Sequence, residues 1–313
     1  MKRVIASVCA AALALSMVAC GSDASTSTST STSTSTGSES GASTSTDAAS
    51  AGVSGTVTAS GSSALQPLAQ DAADKFNAAN PDCSVTVNGG GSGTGLQQVA
   101  DGTVDIGNSD VAAEDKLDAD VAATLVDHRV CVVTMAAVVN KDVGITSLTK
   151  DQLKGIFTAE ITNWSEVGGP DEDIILVTRP SSSGTRALFQ QWALDGEEEA
   201  SNAALETDDS GTLLQNVQQN AGAIGYVALP YVMNNSDVQT VAIDGVEPTL
   251  ENTYNGTYPV WGYEHMYTNG EGSEAAQAFI NYVMSDEFAP EIEAMGYGVT
   301  ASMSEEAIAA HEG

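Results

Sequence analysis

Three times along this chain a short β-branched run stops at a loop of Gly with Ser or Thr, and a helix-forming stretch begins at once. The loops are Gly61-Ser62-Ser63-Ala64, Gly91-Ser92-Gly93-Thr94-Gly95 and Ser181-Ser182-Ser183-Gly184-Thr185-Arg186. Repetition of strand, loop and helix points to an α/β protein with mostly parallel strands. The loops also have a chemical meaning. A helix N-terminus offers unpaired N–H groups and a partial positive charge, so it favours anions. Gly lets the backbone approach a ligand closely, and hydroxyls add hydrogen bonds. One such loop is accounted for by ordinary N-capping; three in one chain favour a bound anion.

The periodicity predicts strands over 56–59, 84–87 and 104–107, with a helix over 64–80 that places Leu65, Leu68, Ala72 and Phe76 on one face. A second helix runs from the Gly-rich loop to about residue 101. The continuous apolar run 130–139 reads as a buried strand. Beyond it, helices are expected over 148–157, 185–194 and 213–220, and strands over 174–177 and 223–227. Two more helices are expected, over 273–284 and 288–295. A hinge after Val138 and a return near Pro259 divide the folded part into two lobes, one built from 53–138 and 259–313, the other from 139–258.

The first 52 residues stand apart. Lys2 and Arg3 precede an apolar stretch over 4–18, which suits a signal segment and falls short of the roughly 20 residues needed to span a bilayer. It ends in Met17-Val18-Ala19-Cys20-Gly21, which resembles the lipobox of bacterial lipoproteins. The resemblance implies that residues 1–19 are removed and that Cys20 carries lipid, which holds the protein on the extracellular face of the cell membrane. Residues 20–52 read as a tether: 20 of the 32 residues from Gly21 to Gly52 are Ser or Thr, with nothing apolar to offset the entropy of ordering them.

From Val53 onward there are 39 acidic and 8 basic residues, a net charge of −31. That balance excludes a nucleic-acid binder, whose affinity comes from Lys and Arg on phosphates. Two cysteines, Cys83 and Cys131, and three widely spaced histidines give no zinc pattern, and no metal or other cofactor is expected. An exported protein permits a Cys83–Cys131 disulfide, but sequence cannot place their Cα atoms.

Only three Arg follow residue 52, and two of them, Arg179 and Arg186, bracket the third loop. Arg suits bidentate contact with tetrahedral oxyanions; the alternatives are surface salt bridges for Arg179 and a supporting role for Arg186. Asp110 follows an expected strand end, where ligands gather in α/β sheets. A carboxylate beside an anion is sensible when the anion carries a proton, as monohydrogen phosphate does and sulfate does not. An enzyme would need a base beside Ser92 or Ser183, and no histidine stands in a recognisable relation to either.

The string Leu148-Thr149, Gln152-Leu153, Ile156-Phe157, Ile161-Thr162-Asn163-Trp164 and Val167-Gly168-Gly169 resembles the signature of the periplasmic-type phosphate-binding proteins of ABC transporters. Gly222-Ala223-Ile224-Gly225-Tyr226 follows in the same order. The resemblance implies a two-lobed type II periplasmic-binding-protein-like fold, each lobe a mainly parallel sheet flanked by helices, that closes on phosphate and delivers it to a membrane permease. It implies phosphate contacts from Ser63, Ala64, Ser92, Asp110, Arg179, Ser183, Gly184 and Thr185. Ser181 stands where some relatives carry an Asp that braces the Arg. Receptors for sulfate or molybdate, and a surface adhesin, are the competing readings.

Overall fold

A computed structural model describes residues 52–201 and 205–312; the signal segment, Cys20 and the Ser/Thr tract through residue 51 lie outside them. In chain order the first elements are β1 (Gly55–Gly61), α1 (Gln66–Ala79), β2 (Cys83–Gly89), α2 (Ser92–Ala100) and β3 (Ile106–Ser109). A short α3 (Ala119–Ala122) leads into the long β4 (Leu125–Asn140). Then come β5 (Ser147–Leu148), α4 (Lys150–Phe157), β6 (Ile175–Thr178), α5 (Gly184–Ala193), β7 (Leu205–Glu206), α6 (Ser210–Gln219), β8 (Ala223–Ala228) and β9 (Val238–Ile243). The chain ends with α7 (Leu250–Tyr254), β10 (Trp261–Asn269), α8 (Glu274–Val283), α9 (Ala289–Ala294) and α10 (Glu305–Glu312).

The strands follow the order β2-β1-β3-β10-β4-β8-β6-β7, with β9 beside β4 and β5 beside β9. Pairing is parallel where strand, loop and helix alternate: β1 with β2 and β3, β6 with β7 and β8, β5 with β9. The chain reverses only at its centre, where β10 runs antiparallel to β3 and β4, and β4 antiparallel to β8 and β9. Strand β4 joins the two parallel sets. Its residues Leu125 to Thr134 pair with β10, and from Met135 onward it pairs with β8 and β9. The exchange falls a few residues before the expected hinge after Val138. Tyr258 fastens this point, its hydroxyl donating to the Met135 carbonyl at 2.8 Å.

The expected elements are present with ends displaced by no more than five residues, and β4 begins five residues early. Asp127, His128 and Arg129 interrupt its apolar run, yet they pair with β10. Strands β9 and β10 carried no period-two signal. β10 is covered on both faces, so its side chains from Glu264 to Thr268 are all buried and do not alternate.

Packing explains the helices. Leu65, Leu68, Ala72 and Phe76 are buried as the periodicity requires; full burial of such a large apolar side chain contributes about 1.5–3 kcal/mol. Phe76 meets Phe279 of α8 edge-on, with centroids 5.6 Å apart. Helix α4 opens with a capping box: Gln152 N–H donates to Thr149 Oγ1, and Thr149 N–H to Gln152 Oε1. Its Leu153, Ile156 and Phe157 enter the core. Trp164 is fully buried, with its indole N–H on the Gly222 carbonyl at 2.9 Å. The signature string is therefore structural, apart from any ligand.

Cys83 and Cys131 are buried free thiols. Among the described residues no helix is long and apolar enough to cross a membrane.

Candidate functional site

Every strand-to-helix loop singled out in the sequence converges on one place, at the carboxyl ends of the parallel strands. Gly61 ends β1 with φ +138, and a Cβ there would collide with the Asn108 backbone. Glycine lets the ends of β1 and β3 meet, and Ser62 N–H donates to the Asn108 carbonyl at 2.9 Å. Ser62 Oγ then accepts from Leu65 N–H at the mouth of α1. That leaves Ser63 Oγ facing the other half of the molecule, where it donates to the Asp208 carbonyl at 2.8 Å and lies 3.0 Å from Ser210 Oγ. Ala64 is anchored from behind, its carbonyl accepting from the Tyr297 hydroxyl.

The N-termini of α2 and α5 approach each other. Gly93 N–H donates to the Ser182 carbonyl at 3.0 Å. Ser92 Oγ accepts from Asp110 N–H at 3.0 Å, and Thr185 Oγ1 donates to Asp110 Oδ2 at 2.6 Å. Gly184 sits where any side chain would strike Ser92 and Asp110. Ser183 caps α5, its Oγ accepting from Arg186 N–H. Lys116 reaches the same loop, with Nζ donating to the carbonyls of Ser181 and Ser183 at 2.8 and 3.1 Å. Burial pushes its ammonium below the usual lysine range.

Arg179 lies at the centre and is 0% exposed. Its Nη2 donates to Ser210 Oγ at 2.9 Å and to the Tyr226 carbonyl at 3.4 Å; Nη1 donates to the Asp208 carbonyl at 3.2 Å. The guanidinium carbon is 5.8 Å from the Tyr226 ring centroid. None of the ion pairs among the described residues involves Arg179. The alternative of a surface salt bridge fails on both burial and partners. Arg186 has the supporting role: Nη1 donates to the Arg179 carbonyl at 2.6 Å, and the guanidinium faces Glu198 and Glu199 at 3.6 Å.

All eight sequence-assigned residues thus meet in one buried cluster. Around them Arg179 Nε, Asp110 Oδ1, Asp208 Oδ1 and both side-chain polar atoms of Asn108 are buried without a hydrogen-bond partner. Unpaired polar groups in such density are costly in a core and ordinary in a binding site. Sequence reasoning missed Asn108, Lys116, Asp208 and Ser210. Asp209-Ser210-Gly211 had a readable signal: it is a fourth loop of the same design, with Asp209 capping α6. The two-residue strand before it concealed the pattern.

Comparison with known proteins agrees with this architecture. Residues 46–287 match the domain described as the PBP superfamily domain. The phosphate-binding protein PstS of Bacillus subtilis (strain 168) is 50% identical over 234 residues, which cover 75% of this chain and 77% of that protein. PstS of Pseudomonas aeruginosa PAO1 is 29% identical over 246 residues, covering 70% and 74%. Among solved structures, a candidate phosphate ABC transporter substrate-binding protein of Clostridium perfringens, with bound phosphate, superposes with a TM-score of 0.72 at 31% identity. The match covers 79% of this chain and all of that one. An ABC-type phosphate transport receptor from Vibrio cholerae gives 0.62 at 28% identity, covering 78% and 99%.

Two outcomes follow from the geometry. Gly184→Ala should wedge α5 away from Ser92 and Asp110, whose Cβ atoms would lie 2.8 and 3.0 Å from the new methyl. Amide exchange at Gly93 should then speed up by at least about tenfold, with urea unfolding changed by less than about 1 kcal/mol, because the site opens locally. The second outcome concerns Glu199, whose carboxyl is pushed up to about 7, chiefly by burial, against the opposing pull of the Tyr226 hydroxyl, Arg186 and Arg179. The unfolded chain therefore releases this proton first, and the folded state loses stability as the pH rises from the unfolded carboxyl range to about 7. Glu199→Gln should match wild type in acid and gain about 1–3 kcal/mol over it by mildly alkaline pH, measured by urea unfolding across that range.

Proposed function

The chain belongs to the PstS family of phosphate-binding proteins within the PBP superfamily, and we propose that it captures inorganic phosphate outside the cytoplasm and delivers it to the membrane permease of a phosphate ABC transporter. The observation that carries this reading is Arg179, a fully buried guanidinium with no carboxylate paired to it among the described residues. A buried charge without a counterion is costly, and a bound oxyanion removes the cost. In this reading Arg179 supplies the charge, and α2 and α5 supply the partial positive ends of their dipoles. Ser63, Ala64 and Ser92 bind from one side; Ser183, Gly184 and Thr185 bind from the other.

Residues 53–138 with 259–313 form one lobe and 139–258 the other, and the ligand joins them. Strand β4 and the segment 258–260 that enters β10 carry the chain across between the lobes, so they serve as the hinge about which the lobes close. Cys20 carries the lipid anchor in this reading. Binding without catalysis fits the serines, because Ser92 Oγ is engaged by the Asp110 N–H and Ser183 Oγ by the Arg186 N–H. The net charge of −31 repels anions at long range, so affinity rests on these local groups.

Asp110 gives the selectivity. Phosphate and sulfate share shape and size, and only monohydrogen phosphate brings a proton. A desolvated carboxylate accepts that proton in a charge-assisted hydrogen bond, whereas sulfate would oppose it with a second acceptor. Asp110→Asn supplies an amide that donates as well as accepts. Competition of sulfate against labelled phosphate, at fixed pH and salt, should show the phosphate preference narrowed by at least about tenfold, which is about 1.4 kcal/mol. A variant that rejects sulfate as strongly as wild type would remove Asp110 from the role of proton acceptor.

A further inference from the structure

Next to Asp110 in the β10–β3 register lies a second acid that the proposed binding chemistry does not use. Glu264 sits in β10, between β3 and β4, and is 0% exposed. It pairs with Cys131, and the register slips immediately after it, where His265 pairs with Arg129 and Val130 is bulged out. Bulges re-aim side chains. Neither oxygen of Glu264 has a hydrogen-bond donor, and no ion pair among the described residues includes it. Asp110 Oδ1 is likewise buried and unpartnered.

His265 pairs with Ser109 across the antiparallel β10–β3 edge, which makes Glu264 and Asp110 neighbours, and the Asp110 charge acts on the Glu264 carboxyl. As two carboxylates they can only repel, since neither brings a proton; with one proton between them they form a strong hydrogen bond. The surroundings decide where that proton resides. Asp110 Oδ2 accepts from Thr185 at 2.6 Å, the Lys116 ammonium lies nearby, and the N-terminus of α2 is joined to Asp110 through Ser92. All three favour negative charge on Asp110. Glu264 faces the buried Cys131 thiol of β4 and the Tyr297 hydroxyl beyond α9. That hydroxyl is already donated to the Ala64 carbonyl. Asp208, across the cleft, adds negative charge on the far side of Asp110. Nothing in this ring stabilises a negative Glu264.

We propose that Glu264 is a neutral positioning acid that donates its proton to Asp110 Oδ1, holding Asp110 as the carboxylate that discriminates protonated from unprotonated oxyanions. The inference rests on the proposed reading of Asp110 as the acceptor of the phosphate proton. Burial pushes the Glu264 carboxyl well above the ordinary range, and the Asp110 charge pushes it further. The arrangement separates two tasks that one carboxyl could not perform together. Glu264 keeps the proton that belongs to the protein, so that Asp110 is free to take one from the ligand.

Glu264→Leu removes the donor and leaves an apolar group of similar volume. Asp110 Oδ1 is then left desolvated and without its donor, and the exclusion of sulfate that depends on its negative charge should weaken. From mildly alkaline to mildly acidic pH, the ratio of phosphate to sulfate affinity in this variant should fall by at least tenfold relative to wild type at each matched pH. Glu264→Gln, which retains an N–H donor, should restore the wild-type profile. A purely structural role would move stability in both variants and leave the pH profile of the ratio alone. The protonation is read independently by carbon NMR of side-chain carboxyls in the intact protein, with Glu264→Gln and Asp110→Asn assigning the signals. The expected spectrum keeps one protonated Glu at mildly alkaline pH, where Glu199 has ionised, and that signal is absent in Glu264→Gln. An ionised Glu264 in wild type, or a Glu264→Leu variant that tracks wild type at every pH, overturns the proposal. If the Leu variant does not fold, the wild-type spectrum decides alone. Sulfate rejection that persists in Asp110→Asn sinks the reading of Asp110 instead, while the NMR result still reports on Glu264.

Discussion

A single uncompensated charge organises this molecule. Arg179 sits at the end of β6, fully buried, held by one hydroxyl and two backbone carbonyls. Neutral acceptors orient a guanidinium without cancelling its charge, so the site retains a pull on anions that a salt bridge would have extinguished. Much of the surrounding detail holds that charge in place. Arg186 grips the Arg179 carbonyl, with Glu198 and Glu199 taking the charge of Arg186. Glu198 and Glu199 thus face the supporting arginine, and no acid among the described residues forms an ion pair with the central one.

The architecture delivers four loops to this charge from two pairs of strands far apart in sequence, β1 with β2 and β6 with β7. Parallel pairing puts the carboxyl ends of β1, β2 and β3 together on one side and those of β6, β7 and β8 together on the other. Because β4 and β10 run antiparallel between the two sets, the sets face each other across the crossing. Contacts between them are made by backbone and short side chains: Gly93 to Ser182, Gly184 to Ser92, Ser63 to Ser210. Few long side chains are ordered by such contacts, which keeps their entropic cost low.

The parts of this account that were legible in the sequence are those with local causes. Loops of Gly and Ser ahead of helices announced themselves, as did the single-face periodicity of α1 and the scarcity of arginine. The most family-specific string, from Leu148 to Gly169, encodes a capping box, a buried Trp and core contacts, so it identified the fold without touching the chemistry. What remained hidden depends on long-range pairing. Strand β10 has no alternation because both of its faces are covered, and the placement of Glu264 against Asp110 depends on a slipped register that no local pattern encodes. The Asp208–Ser210 loop followed a strand too short to notice. Ser181 raised the question of what braces Arg179, and the answer, Ser210 Oγ with the carbonyls of Asp208 and Tyr226, came from more distant segments.

No carboxylate among the described residues forms an ion pair with Arg179, and the proposed reading gives that charge to the ligand. Calorimetric titration of phosphate into wild type and Arg179→Ala tests it most directly. Removing the charged partner of a buried anion should cost on the order of 2–5 kcal/mol, a loss of affinity of well over tenfold, with the fold retained. A loss below about tenfold would contradict the account, because the oxyanion would then be held by hydroxyls and helix ends alone.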